Sequence, residues 1–591
     1  MRRLTGAQIL AESLAMQGVT HVFGLIGSHI LPIYDALIDQ PSIRNVVTRH
    51  ELNAAVMADV YGRLTGRPGV CLVTAGPGAT NSITGVAQAF AASSPLIHIS
   101  GTVSSHEAFH AVGDGQLREI FSHVAKASLR IDSAQRIRST IADAFTIALT
   151  GRKGPVHVEI PLRVQTEKIS QLKAKRSRNN GRERPIVLKH DIDDVVSIIA
   201  KSIQPAIFAG PGIVGSSASS ELVRFAERIM APVIVSIDSL DVFPHDHPLF
   251  AGYLTGTYEG RYLNPVVNFV LRRADLLLLI GANTTSAEVQ TIISLGAKKR
   301  VQISSEEGRD EAFETGLVGD IGAILHSMTL IIMPRESPVQ VAFAHELRCR
   351  RGAMSESLSR LVSDHEDAKP IHPGFVAATV RRLSDKNAII TVDVGGHAIW
   401  MEDYFRGYMP LTYLRSGDYG SMGFALPAAI AAKIAKPDQQ IIAVTGDGGF
   451  SMSMMELATA VENNLKMVVI VLNDSKYGVI WQMQRTRHKS RHTGVDLQSS
   501  NFAEVAKGLG AEGIRVEDSQ ELVASVRAAF SNEKVTVLDV VTDHTPDYAS
   551  STLFKRPTSD WRYLKSTLTR RSSRKAKATA RSALIWLKRR V

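Results

Sequence analysis

Residues 444–480 read VTGDGGFSMSMMELATAVENNLKMVVIVLNDSKYGVI. An apolar run ends at Gly446, Asp447, Gly448 and Gly449, a helical pattern follows, and a second apolar run ends at Asn473 and Asp474. Unbroken apolar strands joined by a helix predict a parallel βαβ unit. A right-handed crossover makes its two strands near neighbours, so both carboxylates belong on one rim of the sheet. A glycine-rich strand-to-helix turn exposes N–H groups and a positive dipole end, which suits phosphate. Two carboxylates beside a bound phosphate suit Mg2+, which takes few protein ligands and shares phosphate oxygens. The plainer alternative is that Asp447 caps a helix and NDSKYG is only a turn.

The same alternation extends outward through most of the 591 residues, too many for one core. It predicts an α/β protein of three consecutive doubly wound parallel-sheet domains. We place these at 1–165, 191–345 and 371–550, with a polar linker at 166–190, a helical charged connector at 346–370 and a basic tail at 551–591. Two further strand-to-helix turns carry glycines, VTAGPGATNSITG at 73–85 and VDVGGHAIW at 392–400. None of the three turns is a G-x-x-x-x-G-K-[ST] loop or a G-x-G-x-x-G loop with a trailing ribose acid.

Composition is that of an ordinary globular protein, 44% hydrophobic and 21% charged. Two cysteines, Cys71 and Cys349, exclude a disulfide framework and suit a reducing cytosol, so a cytoplasmic location is expected. The first residues lack the unbroken apolar core of a signal peptide. Of the net charge of +11, ten units lie between Lys565 and Arg590, where the tail holds no acid, leaving the rest near neutral. Such a tail is a solvated appendage, or a weak contact for an anionic surface through SALIWLKRR, and implies no specific nucleic acid. HEAFH at 106–110 fits the zinc-protease pattern by chance, in a loop with no third ligand.

GDG followed at this distance by an Asn-containing strand end resembles the thiamine diphosphate motif. From residue 4 to about 548 the ordered segments VFGLIGSHILPIYDAL, TRHELNAAVMADVYGRLTG and SGDYGSMGFALPAAIAAKIA resemble the acetolactate synthase and pyruvate oxidase family. The resemblance implies pyrimidine-binding, central and diphosphate-binding domains. It implies that Asp447, Asp474 and the backbone carbonyl of Lys476 hold Mg2+. Gly446, Gly448 and Gly449, with Gly395, Gly396 and His397, would hold the diphosphate. Met422 would be the wedge that bends the cofactor, and Pro77 and Asn81 would line the pyrimidine. Glu51 would share a proton with the pyrimidine nitrogen, turning the exocyclic amine into the base that removes the thiazolium proton. Glu51 and Asp447 would come from different subunits, so a homodimer is the minimal active unit and a homotetramer is compatible.

The implied reaction is decarboxylation of a 2-oxo acid such as pyruvate and transfer of the carbanion to a second carbonyl, as in branched-chain amino acid biosynthesis. A 2-oxo acid decarboxylase, a ligase with an unusual acceptor and a non-catalytic relative are the alternatives. Four departures from the family pattern stand out. Asp474 replaces the usual Asn, Ile26 the usual Pro, and Met483 the tryptophan of the acceptor pocket. ANTTSAEVQ stands where the FAD-contacting arginines are expected, which argues against FAD. Ile26, Gln116 and Met483 are the candidate substrate contacts.

Overall fold

The computed structural model describes residues 3–102, 116–170, 189–254, 264–283, 287–295, 299–305, 313, 315–334 and 337–546. HEAFH, most of the linker, part of the segment after the fifth central strand and the whole basic tail lie outside these residues. Three six-stranded sheets are present, and every strand pairing within them is parallel. No helix among the described residues is long and apolar enough to cross a membrane.

The first sheet runs Arg44–Val47, His21–Leu25, Gly69–Val73, Leu96–Thr102, Pro155–Pro161, Ala127–Arg130. The last runs Tyr413–Arg415, Ile389–Val392, Ile441–Gly446, Val468–Asn473, Thr536–Val541, Glu512–Val516. Numbered within each domain, both have the order 2-1-3-4-6-5, whereas the central sheet, from Phe250–Leu254 to Thr315–Val318, has the order 3-2-1-4-5-6. The inner strands are buried along nearly their whole length, which is why they read as continuous apolar runs.

The first and last domains form one compact unit, and the central domain with the helix Pro338–Ser363 belongs to a second. In the first unit, helix Glu51–Thr65 packs on helix Ala425–Ala435 and shares one apolar cluster with it. Ala54, Ala55 and Ala58 on the former, and Ala428, Ala429 and Ala432 on the latter, are fully buried small residues that permit a close approach. Helix Ile83–Ala91 comes so near that a Cβ on Gly85 would lie 2.6 Å from the Ala55 Cβ.

Two expected boundaries differ. Lys168–Ser170, placed in the linker, forms a strand antiparallel to Arg3–Thr5, because Ile169 lies opposite Leu4 and both pack on the apolar cluster of the first domain. No break occurs at 345: the helix Pro338–Ser363 crosses it, opened by a capping box between Ser337 and Gln340. In the central domain, glycines at the strand ends serve close packing. A Cβ on Gly210 would lie 2.5 Å from the Ala282 Cα, and one on Gly212 2.7 Å from the Gly281 Cα.

Candidate active site

Strands Ile441–Gly446 and Val468–Asn473 are direct neighbours, with Gly446 opposite Leu472, so their carboxyl ends share one rim. Asp447 is not the helix cap: Gly446 occupies that position, and Asp447 is the first residue of helix Asp447–Ser453. Its Oδ1 accepts the Gly448 amide at 2.8 Å, and the Ser475 and Lys476 amides also face its carboxylate. Asp474 does form the turn anticipated by the plainer alternative, Oδ1 accepting the Lys476 amide at 3.1 Å, yet it also faces Asp447. Ser475, between Asp474 and Lys476, has φ of 56°, a left-handed conformation unfavourable to a side-chain-bearing residue and held by this turn.

Burial, opposed by the amides around it, pushes the Asp447 carboxyl up to about 6. Burial and then the nearby Asp447 charge push Asp474 up to about 7. A buried carboxylate beside a half-buried one whose ionisation it opposes forms a donor set that a hard cation relieves. No cluster of three or more His, Cys, Asp or Glu side chains suited to a metal occurs among the described residues. Two neighbouring carboxylates fit Mg2+, which completes its shell with carbonyl, water and phosphate oxygens.

The glycines line the same rim. A Cβ on Gly448 would lie 2.6 Å from the Tyr477 ring, one on Gly449 2.8 Å from Asp393 Oδ2, and one on Gly446 3.1 Å from His397 Nδ1. The next turn contributes Gly395, Gly396 and His397, the last two opening helix Gly396–Tyr404. His397 is held neutral, lowered to about 4 by burial, and its buried Nε2 has no hydrogen-bond partner among the described residues. An orphaned polar atom beside a cradle of glycines fits a polar ligand such as a diphosphate.

Asp393, which our sequence reading passed over, braces these turns. Its carboxylate accepts the Val394 amide at 2.8 Å, the Gly423 amide at 3.0 Å and the Thr445 hydroxyl at 3.2 Å. It thus ties the residue after Met422 to the residue before Gly446. Gly423 meets this carboxylate with φ of 84°, and Met422 beside it is half-buried. The signal was an acid at a strand end just before two glycines, but its partners are 30 and 52 residues away.

Glu51 lies in the first domain as the first residue of helix Glu51–Thr65, behind the cap His50, whose Nδ1 accepts the Leu52 amide. It is 7% exposed, so it is more than a solvated helix-start acid. Asn81 Nδ2 donates to Glu51 Oε2 at 3.0 Å, and a Cβ on Gly78 would stand 3.4 Å from Oε1. The short helix Pro77–Asn81 thus packs directly on Glu51. Ile26 is 48% exposed on the neighbouring strand end, where Gly27 packs against Thr74. Gln116 is exposed at the start of helix Gln116–Ser122, and Met483 is half-buried in helix Gly478–Arg487. Lys476 contributes its amide to Asp474, and its Nζ pairs with Asp496 at 2.5 Å.

Three family models match in chain order. These are the N-terminal TPP binding domain of thiamine pyrophosphate enzymes at 4–123, their central domain at 192–328 and their C-terminal TPP binding domain at 393–540. The probable acetolactate synthase large subunit of Methanocaldococcus jannaschii is 33% identical, over 91% of this chain and 92% of its own. The chain belongs to the acetolactate synthase large-subunit family of thiamine pyrophosphate enzymes. The acetolactate synthase large subunit of Corynebacterium glutamicum is 30% identical, over 91% of this chain and 87% of its own. Isozyme 1 of Escherichia coli K12 is 29% identical, over 92% and 94%. As a member of this family, the chain is a thiamine diphosphate-dependent carboligase acting on a 2-oxo acid.

Proposed function

We propose that the enzyme decarboxylates pyruvate and joins the two-carbon unit to a second 2-oxo acid, giving a 2-hydroxy-2-alkyl-3-oxo acid of the kind that feeds branched-chain amino acid synthesis. The observation that carries this reading is the rim itself: the buried Asp447 facing the half-buried Asp474, a glycine cradle and the buried His397 nitrogen. Asp447 and Asp474 would hold Mg2+, with the Lys476 carbonyl as a third protein ligand. Gly448, Gly449, Gly395 and Gly396 would offer amides to the diphosphate, and Met422 would press on the cofactor between its rings. Bound there, thiamine diphosphate supplies a carbon nucleophile and an electron sink. Glu51, fixed by Asn81, would hold a proton at the pyrimidine nitrogen.

The active assembly is proposed to be a homodimer, with Glu51 of one subunit facing the diphosphate half of the other, and a tetramer is a compatible higher state. Incubation of purified protein with thiamine diphosphate, Mg2+ and pyruvate, followed by product analysis, tests the reaction. Acetolactate is expected. Acetaldehyde as the sole product would replace ligation by simple decarboxylation, and no product would refute both.

A further inference from the structure

Glu456 is fully buried, yet it lies at none of the three glycine-rich turns. It begins helix Glu456–Glu462, just after the helix that starts at Asp447. Its Oε1 accepts the Arg49 amide at 2.9 Å, the His50 amide at 3.1 Å and the Asn53 side-chain amide at 2.9 Å. Its Oε2 accepts the Thr459 hydroxyl at 2.7 Å. All four partners are donors, which suits a carboxylate. The same helix meets the segment before Glu51 twice more: the Thr459 hydroxyl, whose single proton is shared between Glu456 and this second acceptor, lies 3.2 Å from the Val47 carbonyl oxygen, and Arg49 pairs with Glu462.

We propose that Glu456 is a positioning residue for Glu51: through the Arg49 and His50 amides it anchors the chain directly before Glu51, and so ties the helix pair that begins at Asp447 to the proton-handling half of the site. The backbone of Glu51 follows immediately on the two bonded amides, so slack at Glu456 becomes displacement of the Glu51 carboxyl. This rests on the reading of Glu51 given above. It also means that, within one chain, the metal-binding turn and Glu51 are mechanically linked even where they serve different sites of a dimer.

Two variants separate positioning from charge. Glu456→Gln keeps an acceptor oxygen at the same reach, whereas Glu456→Asp keeps the charge but withdraws the carboxylate by one methylene. The wild type, both variants and Glu51→Gln are compared as full chains. The measurements are deuterium exchange at C2 of bound thiamine diphosphate without any 2-oxo acid, cofactor affinity, and amide exchange in the cofactor-free protein. Glu456→Asp should slow C2 exchange by about 10- to 100-fold, since small misplacements of a catalytic group cost that much. Its cofactor affinity should change less than about threefold, because binding and chemistry respond separately. The Arg49 and His50 amides should exchange faster in Glu456→Asp, and Glu456→Gln should stay close to wild type in all three measurements. Unchanged C2 exchange in Glu456→Asp, or loss in Glu456→Gln with retention in Glu456→Asp, overturns the proposal. Should wild type fail to accelerate C2 exchange, the assignment of Glu51 falls, and unchanged protection of Arg49 and His50 in Glu456→Asp would separately refute the anchor.

Discussion

Asp447 and Asp474, together with Asp393, which burial also raises to about 6, contribute to the pH behaviour of the metal-free protein. The Asp447 and Asp474 carboxyls are raised to about 6 and about 7, above an ordinary value of 3.8, and the two titrate as a pair. Carboxyls raised in the folded state stabilise it most below their unfolded pKa, and that contribution is lost as pH climbs through the raised values. Mg2+ requires the ionised pair, so its affinity should rise over the same window. The thermal shift produced by Mg2+ and thiamine diphosphate together is therefore expected to be larger at pH 8 than at pH 5.5, and an equal shift at both would contradict the assignment. Gly449→Ala should weaken cofactor binding and cost about 1–3 kcal/mol of stability, the usual penalty for overpacking, because its Cβ would meet Asp393. Calorimetric titration with cofactor and a melting curve check both effects. Asp447 was legible because an acid between glycines at a strand end has few other uses. Asp393 and Glu456 were not, because hydrogen bonds spanning 30 to 407 residues leave no local pattern.

Among elements, the long inner strands were readable from their apolar runs, since burial on both faces forbids polar alternation. The edge strands were not: Arg44–Val47, Ala127–Arg130 and Tyr413–Arg415 are three or four residues long, and each carries an arginine. Their pairing is decided by the sheet beside them. The closeness of helices Glu51–Thr65 and Ala425–Ala435 was likewise hidden, because alanine favours any helix and only the assembled fold shows two alanine faces meeting. Ala429→Leu should overpack this contact by about 1–3 kcal/mol. A lower melting temperature is expected, while an unchanged one would show that the helices can part without cost.

At the scale of the molecule, the first and last domains repeat one strand order, and each carries half of the proposed chemistry. The subunit arrangement can be tested by mixing two inactive chains, Glu51→Gln and Asp447→Ala, after dissociation. If the two residues meet across subunits, each hybrid dimer regains one intact site, and about a quarter of wild-type activity returns at equal mixing. No recovery would place both residues of a site in one chain.

The central claim is that Glu51 activates a thiamine diphosphate bound at the Asp447 and Asp474 rim. Its most direct test is turnover of pyruvate by Glu51→Gln with Mg2+ and cofactor affinity measured alongside. The account predicts retained cofactor binding with turnover reduced by about 10²- to 10⁴-fold, the scale of a lost proton-transfer group. Wild-type turnover in that variant would contradict it.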